Sequence, residues 1–169
     1  SFFMRHILDG RNGLDLYPVT WMQGHHCPTV VYPYGDAKEP LIVYSGGVYS
    51  HRVEKLDGTR VWNQWAQSYM KIGCVGDFDG DGRTESAYQS AGTVYDLGSN
   101  FSNLKFEPLK ESLSRYVRTF DVVSGKETGR LPLDGIIVKG MVSCDIDGDN
   151  RDEILLGTEA GFLYILGII

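Results

Sequence analysis

The chain has 169 residues, 42% of them hydrophobic, and a formal net charge of −6. That length and apolar content suffice for one domain with a proper core and exclude a disordered tail. The 22 acidic against 16 basic residues, with no basic stripe anywhere, exclude a nucleic-acid surface. No apolar run approaches the roughly 20 residues that cross a bilayer, so no membrane span is expected. The start, Ser1-Phe2-Phe3-Met4-Arg5, lacks the build of a signal peptide and points to a processed protein or a segment of a longer one.

Ten Tyr, seven Phe, three Trp and 21 Gly, spread along the chain, predict short strands joined by tight turns and hence an all-β fold. In chain order, residues 2–8 read as a strand ending at Asp9-Gly10. Strands are next expected around 28–32, 41–44 and 48–56, with a two-residue hairpin at Asp57-Gly58 before 59–62. Residues 71–76 lead into an acidic loop at 77–85, followed by Ser86-Ala87-Tyr88 and a turn at Gly92. Residues 117–122 and 127–131 form a second hairpin around Ser124-Gly125, and 140–144 lead into another acidic loop at 145–153, then Ile154-Leu155-Leu156 and a turn at Gly161. The order strand, acidic loop, strand, turn, strand therefore recurs, with a third copy upstream whose loop, Gly35-Asp36-Ala37-Lys38-Glu39, has lost the carboxylates.

Four short antiparallel strands per repeat are the unit of a propeller blade, whose faces need neighbouring blades to complete a core. The expected fold class is therefore all-β, with β-propeller blades of four antiparallel strands, about three of them, forming an incomplete ring or one completed by other copies. The division runs 1–27 for the end of a blade and a connector, 28–70 for a degenerate blade, 71–134 for an acidic-loop blade with an insertion at about 99–115, and 135–169 for an acidic-loop blade lacking its last strand. Residues 107–113 within the insertion predict a short helix.

The two loops carry the chemistry. Calcium takes six to eight oxygen ligands, and a loop supplies them at alternate positions because side chains at i, i+2 and i+4 converge. Asp77, Asp79 and Asp81, the Arg83 carbonyl and Glu85 match that pattern; so do Asp145, Asp147 and Asp149, the Arg151 carbonyl and Glu153. The cofactor expected is Ca²⁺ at two sites, with Mg²⁺ less favoured because it keeps its waters. An EF-hand needs a bidentate Glu at loop position 12 and flanking helices, whereas Tyr88 and Leu156 stand there and the flanks are strands.

These two segments resemble FG-GAP/VCBS repeats, the calcium-binding blades of integrin α-chain heads, bacterial surface proteins and some polysaccharide lyases. The resemblance implies a calcium-binding propeller in an extracellular or cell-surface setting, or a periplasmic one. The function it suggests is a non-catalytic module for adhesion, recognition or assembly, whose partner is a protein or glycan ligand or other copies of itself. Two alternatives stand beside it: the propeller portion of a carbohydrate-active enzyme such as a polysaccharide lyase, and a structural subunit polymerising head to tail through its terminal strands.

Other features are weaker. His25-His26-Cys27 lacks a third ligand for a transition metal. Trp21, Trp62, Trp65 and Tyr69 suit either a sugar-stacking platform or core packing. Cys27, Cys74 and Cys144 make no zinc, redox or haem spacing; Cys74 and Cys144 precede the acidic loops and read either as a bridge or as two buried thiols. No nucleophile, phosphate-loop or dinucleotide motif is present, so no catalytic residue is assigned and the balance leans away from an enzyme.

Overall fold

A computed structural model describes residues 2–23, 27–31, 39–45, 47–70, 73–89, 94–95, 116–135 and 137–167. Fourteen strands are present among them, and every pairing is antiparallel. At the start, β1 (Phe2–Arg5) pairs with β2 (Thr20–Gln23), and the intervening chain is closed by a bridge between Leu8 and Asp15.

The next sheet has five strands: β3 (Cys27–Val31), β4 (Leu41–Ser45), β5 (Gly47–Lys55), β6 (Arg60–Met70) and β9 (Val94–Tyr95), in that spatial order. Its β5–β6 hairpin turns where expected. The Lys55 N–H donates to the Thr59 carbonyl at 2.8 Å, and Asp57 Oδ1 accepts from the Thr59 N–H at 2.8 Å, an Asx turn of the kind Asp favours. Alternation sends Leu41, Val43 and Val53 to one face, where they join Val31 and Val122 in a buried cluster flanked by Trp62 and Val75.

A four-stranded sheet follows, ordered β11–β10–β8–β7, from β7 (Cys74–Gly76), β8 (Glu85–Gln89), β10 (Tyr116–Asp121) and β11 (Glu127–Pro132). Its two inner strands, β8 and β10, are buried almost throughout because they are covered on both faces. The last sheet has three strands, β12 (Ile137–Cys144), β13 (Glu153–Thr158) and β14 (Leu163–Leu166). Here β13 alternates, with Ile154, Leu156 and Thr158 buried. Ile154 and Leu156, with Ile137 and Met141, pack on Cys74, Phe78, Ala87, Tyr88, Val117 and Phe120 to form the larger core cluster. The four-stranded sheet is thus the middle of the packing, contributing Ala87 and Val117 from one face and Tyr88 and Phe120 from the other to the larger cluster, while Val75 and Val122 meet the smaller one. Each fully buried large aliphatic side chain contributes about 1.5–3 kcal/mol relative to exposure.

This architecture corrects the expected fold class. The fold is all-β, but among the described residues its antiparallel sheets are separate and none closes into a ring, so the β-propeller reading does not hold. Nor do the sheets repeat a four-stranded blade, since among the described residues they carry two, five, four and three strands. The departure centres on β6, which pairs with β5 from Arg60 to Met70, with register shifts that take up its two extra residues, and takes β9 on its other edge through Trp65↔Tyr95 and Ala66↔Val94. The strand after Gly92 therefore leaves the sheet of the acidic loop it follows, and β8 pairs directly with β10. The function built on the ring, an extracellular propeller module for adhesion, recognition or assembly, falls with it, as do the propeller part of a lyase and the head-to-tail polymer. The insertion at about 99–115, with the short helix expected at 107–113, and residues 35–38 of the upstream loop lie outside the described residues. Among the described residues no helix is long and apolar enough to cross a membrane.

Candidate metal centres

Each acidic loop joins two neighbouring strands, the first linking β7 to β8 and the second β12 to β13. Both loops wind their backbone around their first carboxylate. Asp77 accepts from the Gly80 N–H at 2.8 Å and the Gly82 N–H at 2.9 Å; Asp145 accepts from the Gly148 N–H at 2.7 Å and the Asn150 N–H at 3.0 Å. The winding needs left-handed backbone at two places, Gly80 (φ 76°) and Gly82 (φ 79°) in one loop, Gly148 (φ 82°) and Asn150 (φ 66°) in the other. Asn is the non-glycine residue that tolerates this region best, so Asn150 performs the task of Gly82.

The closing glutamates reach back to the start of each loop. Glu85 Oε2 accepts from the Phe78 N–H, and Glu153 Oε2 from the Ile146 N–H, both at 2.9 Å. As a result Asp77, Asp79 and Glu85 each offer a carboxylate oxygen within 4.8 Å of one another, and Asp145, Asp147 and Glu153 do the same. Two clusters of acidic side chains able to chelate a divalent ion are therefore present.

The remaining predicted ligands stand aside from these clusters. Asp81 and Asp149 accept the N–H groups of Arg83 and Arg151, each at 2.8 Å, and lie 3.7 Å and 4.0 Å from the guanidinium groups of the same arginines. Arg83 and Arg151 thus donate their main-chain N–H groups to these aspartates, whereas the loop pattern would use their carbonyls. The two clusters differ in depth: Glu85 is buried at 1% exposure, whereas Asp145 and Asp147 are exposed. Burial pushes the Glu85 carboxyl up to about 8, helped by the charges of Asp79, Asp81 and Asp77 and opposed by the Phe78 N–H.

A residue that sequence reasoning left unassigned ties the loops together. Asp152 Oδ2 accepts from the Asp77 N–H at 2.9 Å, while the Asp152 N–H donates to the Asp77 carbonyl at 2.8 Å. The approach is close, for a Cβ on Gly76 would lie 2.5 Å from Asp152 Oδ2. One signal was available: Asp152 takes the place of Thr84 just before the closing glutamate, where the loop pattern asks for no carboxylate. A second tie runs from the Ser143 hydroxyl to the Val75 carbonyl at 2.6 Å.

Cys74 and Cys144 are free thiols, the first buried and the second exposed. Burial pushes the Cys74 thiol up to about 12, the Ser143 hydrogen bond opposing and the Asp152 charge assisting, so it behaves as a small apolar side chain. His25 and His26 lie outside the described residues; of the aromatic set, Trp62 is a packing residue shared by both cores, its indole N–H donating to the Val122 carbonyl at 2.8 Å.

No protein-family model and no curated protein matches the chain. A solved structure of a protein of unknown function from Bacteroides caccae is similar over 98% of this chain, at 16% identity and a TM-score of 0.37. The chain spans 65% of the length of that protein. The propeller, FG-GAP, VCBS, cell-adhesion and carbohydrate-binding descriptors thus find no support, and the acidic clusters carry no feature specific to calcium.

Proposed function

We propose that this all-β domain binds two divalent cations, one in each acidic loop, and that the ions are Ca²⁺ acting to stabilise the junction between the four-stranded and three-stranded sheets. The observation that carries the reading is the convergence of Asp77, Asp79 and Glu85, and independently of Asp145, Asp147 and Glu153, within 4.8 Å. The donors are all hard oxygens, which suits Ca²⁺ or Mg²⁺ over softer metals. Ca²⁺ is favoured because it accepts an irregular, mainly protein-derived oxygen shell, whereas Mg²⁺ needs a near-ideal octahedron and retains water. An ion in either loop would neutralise carboxylates already held together, and would lock a loop whose main chain bonds to the other. The exposed second cluster fits a weak site, filled in a calcium-rich setting outside the cytoplasm.

Calorimetric titration of the metal-free chain with Ca²⁺ and with Mg²⁺ tests this. Two binding events for Ca²⁺ are expected, with weaker Mg²⁺ binding; Asp77→Asn should remove one event and Asp145→Asn the other. Bound cation at about 100 times its Kd should stabilise the fold by about 2.7 kcal/mol per site. Absence of heat and an unchanged melting temperature in millimolar Ca²⁺ would sink the reading.

A further inference from the structure

The junction between the five-stranded and four-stranded sheets contains an ionisable group that the cation reading does not use. We infer that His51 is an acid-sensitive latch, holding β5 against β8 only while its imidazole is neutral. His51 is fully buried, and its Nε2 lies 2.9 Å from the Ser86 hydroxyl, a side-chain bond that crosses from one sheet to the other. Its ring stacks on Tyr88 with centroids 4.2 Å apart and touches Trp62 at 5.2 Å and Phe120 at 5.8 Å. Among the described residues the other nitrogen, Nδ1, has no hydrogen bond of normal geometry.

The surroundings oppose a positive charge. From β10 the Arg118 guanidinium repels it; from β8 come only the Ser86 hydroxyl and the neutral Tyr88 phenol, whose ionisation burial pushes upward; from β6 come Trp62 and the Gln64 amide. The Tyr44 main chain on β4 favours the protonated ring, but as the smallest of three influences, behind burial and Arg118. The carboxylate of Glu127, on β11, is already engaged. Burial alone would raise it, yet hydrogen bonds from Arg118 and Arg130 hold it below its ordinary range. On β5 itself Arg52 and Glu54 belong to the opposite face, where Glu54 pairs with Arg5 at 2.8 Å. Among the described residues nothing in this shell compensates an imidazolium, and burial with Arg118 drives the His51 pKa down from 6.5 to about 3.

The sign follows from linkage. A depressed folded-state pKa means the unfolded chain takes up the proton first, so the contribution is fully present above pH 6.5 and is lost as pH falls toward 3. Between about pH 7.5 and pH 4.5 the folding equilibrium should lose about 100-fold through this residue alone, a factor of ten per unit below 6.5.

Urea unfolding of the full chain at those two pH values, wild type against His51→Gln, tests the latch. Gln keeps a polar atom near Ser86 and does not titrate, so the ratio of the two proteins' losses isolates His51 from every carboxylate. A ratio near 100 is expected; equal losses in both proteins overturn the inference. Should His51→Gln fail to fold, ¹⁵N imidazole spectra of the wild type decide instead. A ring that stays neutral until the fold opens supports the latch, and one that titrates near pH 6.5 with the sheets still packed refutes it.

Discussion

Replacing Asp152 by Ala removes a carboxylate that coordinates nothing in the loop pattern, and it should nevertheless weaken the neighbouring loop. Asp152 Oδ2 is the acceptor for the Asp77 N–H at 2.9 Å, in a partly buried position. Truncation leaves that donor without its partner, at a cost of about 1–3 kcal/mol. The return bond, Asp152 N–H to the Asp77 carbonyl at 2.8 Å, uses the main chain and survives. A net loss of about 2 kcal/mol in a chain of this length corresponds to about 4–8 °C in melting temperature. Asp152→Asn, which keeps an oxygen acceptor, should lose less than half of that. Because Asp77 is also a predicted ligand, Ca²⁺ affinity should fall at the first loop and change little at the second, although the substitution lies in the second. Differential scanning calorimetry followed by isothermal titration separates these effects. Asp152→Ala melting within about 1 °C of wild type, with both binding events intact, would show that the tie between the loops carries no energy.

Three further outcomes follow from local geometry. Gly76→Ala should reproduce much of the Asp152→Ala loss in thermal melts, since its Cβ would sit 2.5 Å from Asp152 Oδ2 and 2.9 Å from the Phe78 ring. Asn150→Gly should be neutral or stabilising by up to about 1 kcal/mol, because glycine adopts the left-handed φ of 66° without strain, while Asn150→Val should cost more than about 1 kcal/mol in chemical denaturation. Trp62→Phe should cost about 1–3 kcal/mol by the same assay, since it removes the indole hydrogen bond to the Val122 carbonyl and thins a contact shared by both core clusters.

The acidic loops were legible because the bonds that wind each one act within nine residues. Carboxylates at alternate positions bond the N–H groups two, three and five places on, glycine or asparagine supplies the left-handed turns, and a glutamate closes the ring. The hairpin at Asp57-Gly58 was legible for the same reason: an Asx turn is a local object. The strand pattern, with its aromatic and β-branched runs, was enough for an all-β fold.

Strand partners were not legible, because pairing is a long-range choice. Four well-formed strands look alike whether they close a blade or feed two sheets, and nothing local in Val94-Tyr95 shows that they pair with Trp65 and Ala66 of β6 instead of with β8. The same limit hid Asp152 and His51. Asp152 meets Asp77 across 75 residues, and His51 meets Ser86 across 35, so their roles arise only when sheets pack face to face. Short-range chemistry, the loops and turns, is therefore determined by the chain itself. The joining of sheets, and with it the coupling of the two loops and the burial of a neutral imidazole, belongs to the tertiary structure, where desolvation and contact between distant residues act together.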